Sequence, residues 1–254
     1  MKAIRLLFLA VGLTILAFGC SDQDAGQANI QFRLTDMPGE YQQVNIDVQA
    51  VNVIMNDSLI ELSTNQGIYN LLEFVNGEDT LLVDDEIPGG FISQVRLVLG
   101  ENNTVMIDDV LHDLKTPSGQ QSGLKLNVHN EILSGESYAY IIDFVVDKSI
   151  VETGNEGFIL KPVIRVFTKA ITGSVEGVVS PAEAKPLIMA IMAEDTTSTY
   201  ADTTSGYFMI RGLLEGQYSL EIQPVEGYKD TIISDITIVP GQTTDIDTVF
   251  VQVQ

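Results

Sequence analysis

Gln43-Val44-Asn45-Ile46-Asp47-Val48-Gln49-Ala50-Val51-Asn52-Val53-Ile54-Met55 decides the fold class. Val44, Ile46 and Val48 alternate with polar residues, the period of two that turns one face of a strand toward a core. The phase then slips, and Val51, Val53 and Met55 carry the apolar positions onward. A strand cannot change face without an extra residue, so a β-bulge is expected near Ala50.

The same period spreads outward from this stretch. Phe32 and Leu34 alternate before the turn Asp36-Met37-Pro38-Gly39, and further strands are expected over 91–99, 124–128, 138–146 and 158–167. The stretch 68–74 reads equally as a strand or a short helical turn. After the first 19 residues no long helical period appears, and Gly, Pro, Asn and Asp punctuate short apolar runs. That is an all-β pattern of the sandwich or barrel kind. Near Ala170 to Thr172 the pattern stops and restarts with Gly173-Ser174-Val175-Glu176-Gly177-Val178-Val179. Two β-sandwich domains are therefore expected, 29–169 and 172–254, joined by a short link.

Lys2 and Arg5 precede an apolar run from Leu6 to Phe18, which ends in Leu16-Ala17-Phe18-Gly19-Cys20. The run is shorter than the ~20 apolar residues of a spanning helix. Its order is that of a signal peptide, 1–19, cleaved after the small residue Gly19. Cys20 is the only cysteine, so it is the expected lipidation site, and the mature domains have no internal disulfide. Ala17 stands where a lipobox more often has Leu, and an ordinary cleaved signal is the alternative. Acyl chains on Cys20 would tether the protein to a membrane, at the outer membrane or cell surface. Residues 20–28 would form an acidic, flexible tether. The Asp22-Gln23-Asp24 cluster resembles the export signal of surface lipoproteins in Bacteroidetes-type bacteria.

The net charge is −22, and it becomes two units more negative when Lys2 and Arg5 leave with the signal. Such a chain repels phosphate backbones and anionic headgroups, so a nucleic-acid partner is excluded.

Leu34-Thr35-Asp36-Met37-Pro38-Gly39, Gln94-Val95-Arg96-Leu97, 117–126 (PSGQQSGLKL) and Leu160-Lys161-Pro162-Val163-Ile164-Arg165 occur in an order that resembles the bacterial family of domain of unknown function 4382. The resemblance covers roughly 29–168 and implies a secreted or lipid-anchored β-rich domain. It carries no established activity, hence no catalytic residue. Met37 departs from the Ala expected there. Gly206-Tyr207-Phe208-Met209-Ile210-Arg211-Gly212-Leu213 with Gly216-Gln217-Tyr218 resembles the carboxypeptidase regulatory-like domain, a transthyretin-like (prealbumin-like) sandwich. That likeness implies a spacer or recognition module within a carbohydrate-binding-like superfamily. It places Phe208 and Ile210 in a core, with Pro240-Gly241-Gln242 as a hairpin turn.

Sites are sparse. His112 and His129 each have an acidic residue nearby, but strand neighbours point to opposite faces, so no zinc site is expected. Asp84-Asp85-Glu86 and Asp108-Asp109 offer oxygens for calcium, yet no Asp-x-Asp-x-Asp-Gly loop exists. Asp245 and Asp247 read as the solvated face of an edge strand. No nucleophile elbow is present, and no catalytic residue, cofactor or enzyme activity is expected.

Tyr200, Tyr207 and Tyr228 are candidate ligand-facing aromatics at turns. Tyr138 and Tyr140 share a strand face, which is more often packing. Asp followed by Ser or Thr recurs six times, at Ser58, Thr80, Thr196, Thr203, Thr231 and Thr248. The pattern resembles the O-glycosylation acceptor of the Bacteroidetes periplasm. Equally, Asp favours turns and Thr favours the strands that follow them. The expected function is that of a non-catalytic surface lipoprotein for binding, adhesion or scaffolding, with a surface protein as partner. The alternative is a carbohydrate-binding accessory lipoprotein of a glycan-uptake system.

Overall fold

In the computed structural model, which describes residues 26–37, 41–116, 123–154 and 157–254, the alternating stretches become strands almost throughout. The signal peptide, Cys20 and residues 21–25 of the expected tether lie outside the described residues. So do Pro38 and Gly39 of the first turn and most of the stretch after Thr116. In chain order the strands are β1 (Gln27–Met37), β2 (Gln43–Met55), β3 (Ser58–Glu61), β4 (Gly67–Asn70), β5 (Thr80–Pro88), β6 (Gly90–Leu99) and β7 (Thr104–Ile107). There follow β8 (Val110–Lys115), β9 (Leu124–Ile132), β10 (Ser137–Val145), β11 (Ile150–Thr153), β12 (Gly157–Leu160) and β13 (Ile164–Thr168). A second group comprises β14 (Gly173–Ser180), β15 (Leu187–Met192), β16 (Asp195–Tyr200), β17 (Tyr207–Leu213), β18 (Gly216–Gln223), β19 (Thr231–Ile238) and β20 (Thr243–Phe250).

The phase slip in β2 organises the first domain. Val44, Ile46 and Val48 are buried, as are Val51, Val53 and Met55, and the register against β6 shifts between Val48 and Ala50. The bulge thus keeps both halves of a thirteen-residue strand facing one core. It also largely separates partners: β7 and β4 pair with β2 only before it, β3 only after it, and β6 runs from Val48 onward through it. The resulting large sheet runs β11-β12-β8-β7-β2-β6-β9, and it faces a smaller sheet ordered β13-β10-β1-β5. Phe32, Leu34, Tyr140, Ile142 and Phe144 from the small sheet meet the β2 face.

Several expectations change in detail. The 158–167 stretch is two strands in different sheets, because Pro162 cannot donate to a ladder and Lys161-Pro162-Val163 crosses between them. The 68–74 stretch is both things at once: β4, then a 3₁₀ turn over Leu71–Glu73. Tyr140 stacks on Phe32 with ring centroids 5.1 Å apart, so the Tyr138–Tyr140 stripe is core packing. β1 begins at Gln27, and Ala28 is buried, two residues inside the segment read as tether.

The second group packs a three-stranded sheet, β17-β14-β20, against a four-stranded one, β16-β15-β18-β19. Its core is separate and includes Val175, Phe208, Ile210, Leu220, Ile222 and Ile238. Gly206 leads into β17 with φ +72°, and a Cβ there would lie 2.1 Å from the Val179 carbonyl oxygen, so only glycine fits. Pro240-Gly241-Gln242 does not close a hairpin. It carries the chain from β19 in one sheet to β20 in the other, where β20 pairs parallel with β14. Asp245 and Asp247 do not share a regular face either: Asp247 has φ +58°, and the register is broken between Glu176 and Val178 opposite it.

β1, β5 and β10 give the first domain two distinct ends. β1 and β10 are parallel and β5 antiparallel to both, so Gln27, Pro88 and Ser137 lie at one end. Met37, Thr80 and Val145 lie at the other, about 33 Å away for an eleven-residue strand. The second domain docks on this latter end.

Candidate functional site at the domain junction

The junction has a charged flank and a tyrosine-lined flank. On the charged flank, Asp79 precedes β5 and accepts hydrogen bonds from Arg33 of β1 and from Arg211 of β17, the latter at 2.9 Å. Lys169, in the link, stands 3.9 Å from the same carboxylate. Arg211 also donates to the Gly77 carbonyl at 3.0 Å. Burial pushes the Asp79 carboxyl up, but the hydrogen bonds from Arg211 and Arg33 outweigh it and hold the group below its ordinary value.

A second arginine works the other way round. Arg165 of β13 donates to Asp143 of β10 and reaches across to Thr197 Oγ1 of β16 at 3.0 Å. Asp143 is 2% exposed, and there burial outweighs Arg165, so its carboxyl is raised. Phe167 presses its ring on Gly212, where a Cβ would come within 2.6 Å of the ring and φ is +73°. These contacts join the two cores across a link of four residues, Lys169 to Thr172.

The other flank is a groove of about 310 Å³. Tyr41, Leu72, Val75 and Asn76 from the first domain face Lys185, Tyr200, Asp202 and Val225 from the second. Asp147 adjoins it beside Tyr41 and Tyr200. A concave surface with two aromatics and convergent polar groups of both signs is the usual form of a small-ligand site. Asp202 serves its own turn: Oδ1 accepts from the Thr204 and Ser205 amides and from Ser205 Oγ. The Ser205 amide bond is the chief reason that its carboxyl lies below the ordinary range. Held ionised in this way, it is poorly suited to act as a general acid.

Of the three candidate tyrosines, only Tyr200 lies in this groove. Tyr207 donates to Glu176 Oε2 at 2.7 Å and is half-buried, its phenol raised chiefly by burial and then by that carboxylate. Tyr228 sits in a bridge with Val253. Tyr41 escaped the sequence reading. Its only signal was an aromatic just past the Asp36–Gly39 turn, and its partner is 159 positions away in Tyr200.

His112 meets Phe158 edge-on at 4.9 Å, and His129 lies near Phe91, so the two histidines do not converge. Asp84 accepts from Asn29 and Gln31, whereas Asp85 turns to the Ser63 amide, which separates them. Asp108 and Asp109 form the left-handed turn between β7 and β8. Among the described residues no group of three or more His, Cys, Asp or Glu is arranged to hold a metal ion. Ser58, Thr196, Thr203 and Thr248 are exposed, while Thr80 and Thr231 are half-buried. The Asp of one repeat, Asp79, is committed to the arginines.

A family model described as Domain of unknown function (DUF4382) matches residues 27–162, more than half of the chain, and the chain belongs to that family. No curated protein matches it in sequence. Among solved structures it is similar to the Bacillus anthracis TIE protein at 12% identity, over 90% of this chain and 34% of that one, with a TM-score of 0.25. It is similar to GBS52, the minor pilin of Streptococcus agalactiae, at 12% identity, over 88% and 96%, with a TM-score of 0.25. The fimbrial anchor protein Mfa2 from Porphyromonas gingivalis aligns at 12% identity, over 87% and 90%, with a TM-score of 0.22. The chain spans about a third of the TIE protein's length. Among the described residues no helix is long and apolar enough to cross a membrane.

Proposed function

We propose that this chain is a non-catalytic lipoprotein, held by acyl chains on Cys20 at an outer membrane or cell surface, that displays the junction groove as its binding surface. The observation that carries the reading is that neither domain builds this groove alone. Tyr41 and Asn76 come from one sandwich, Tyr200 and Lys185 from the other, and the arginine contacts beside the groove tie the two domains together. In this reading the second sandwich is a carboxypeptidase regulatory-like module that completes the site, and the exposed Asp-Ser and Asp-Thr positions are available for O-glycosylation.

The groove also favours the carbohydrate reading. Tyrosine rings beside an amide, a lysine and carboxylates suit a hydroxyl-rich, uncharged ligand that both donates and accepts. Affinity electrophoresis in polysaccharide-containing gels tests this. Retardation that is lost in both Tyr41→Ala and Tyr200→Ala supports a glycan ligand, while the same mobility in every gel removes the carbohydrate reading. Mass analysis of the N-terminal peptide tests the anchor, and an unmodified Cys20 in the membrane-extracted protein removes it.

A further inference from the structure

The end of the first domain opposite the junction is where the chain arrives from Cys20. Gln27 pairs with Pro88, and the Gly135 amide donates to the Gln27 carbonyl at 2.9 Å. A Cβ on Gly26 would lie 3.1 Å from Ser134. The 56–57 turn reaches the same place, since the Asn56 amide donates to the Phe91 carbonyl and Asn56 Oδ1 accepts from the Phe91 amide, both at 3.0 Å. Around this point stand three large apolar side chains turned to solvent: Leu59, 50% exposed, Phe91, 45%, and Leu133, 56%. Phe91 faces Glu131 across the β6–β9 ladder, which puts Leu133, two residues further on, diagonally beside it.

We propose that this rim is a bilayer-contacting surface, with Phe91 and Leu133 seated in the interfacial layer of a zwitterionic membrane. The proposal rests on the lipid anchor proposed above. Five residues lie between Cys20 and Gly26, and the six Cα steps span at most about 22 Å when extended, so an acylated Cys20 holds this end of the domain within that distance of the lipid. Exposed aromatic and aliphatic side chains at such a distance bury apolar area in the headgroup region and add a second attachment to the acyl chains. Glu86, Glu131 and Glu136 are exposed around the rim, so anionic headgroups repel it and zwitterionic ones do not. The consequence is orientation: β1 stands between the membrane and the junction, and the groove is presented about 33 Å out.

The absence of tryptophan makes the test direct. Leu133→Trp, Phe91→Trp and, as a control in the second domain, Phe250→Trp (73% exposed) each give the full lipidated chain a single indole. Each is reconstituted on phosphatidylcholine vesicles, with flotation and the mass of the Cys20 peptide measured on the same samples. The expected result is a blue shift and quenching by brominated phosphatidylcholine for the Leu133 and Phe91 variants, none for the Phe250 variant, and a smaller shift when phosphatidylglycerol is added. Floating protein whose indole at 133 and 91 is as water-exposed as at 250 overturns the proposal while leaving the anchor intact. An unmodified Cys20 with no flotation overturns the anchor itself. A larger shift with phosphatidylglycerol overturns the zwitterionic assignment.

Discussion

The two flanks of the domain junction are held by opposite physics. On one, Asp79 is enclosed by Arg33 and Arg211, buried enough that its charge must be met by specific donors. On the other, Tyr41 and Tyr200 line a groove that the packing leaves open. Charged contacts of this kind fix geometry but lose most of their worth if one partner is removed, because the survivor stays desolvated. Tyr41 packs in part against the first core, yet an aromatic at the edge of a groove still presents part of its ring outward. The difference separates a flank that positions from the flank proposed to bind.

Removing the central carboxylate tests the positioning flank hardest. Asp79→Ala is expected to cost about 3 kcal/mol in urea unfolding, with Arg211 left facing the Gly77 carbonyl alone. Gly212→Ala follows at about 2 kcal/mol, since the new methyl meets both a left-handed backbone and the Phe167 ring.

The two aspartates then separate by pH, with differences on the order of 1 kcal/mol. Asp79 is depressed in the folded state, so its contribution is full above the ordinary carboxylate range and fades as pH falls through its folded value. The stability gap between wild type and Asp79→Asn should therefore close below about pH 4. Asp143 is raised, so its contribution is present below its unfolded value and lost as pH rises through the folded one. The stability of wild type relative to Asp143→Asn should therefore rise on acidification. Urea titrations across that range check both signs.

Tyr200→Ala has the smallest expected effect on stability, under about 1 kcal/mol for a half-buried side chain. Loss of ligand retention at unchanged stability would sharpen the division between the flanks. A large loss of stability would break it.

Much of this architecture was legible in advance because period two is a local property. The slip at Ala50 appeared as a register shift, and Phe208 and Ile210 went to a core, since each follows from where neighbouring side chains must point. The misses share a cause. Lys161-Pro162-Val163 and Pro240-Gly241 look like strand interior and hairpin turn, yet each changes sheet, and sheet membership is settled by partners far along the chain. Tyr207 looked as available as Tyr200 until Glu176, on a neighbouring strand, took its hydroxyl.

From the chain alone came the all-β class, the disulfide-free cores, the acidity and the family, because alternation, composition and short motifs are written in adjacent residues. The tertiary structure alone decided which aromatics share a groove, that Asp79 joins Arg33 to Arg211, and that Phe91 and Leu133 ring the end where the chain arrives. Those are meetings between residues dozens to more than a hundred positions apart. Their distances are set by how sheets pack, which no local pattern encodes.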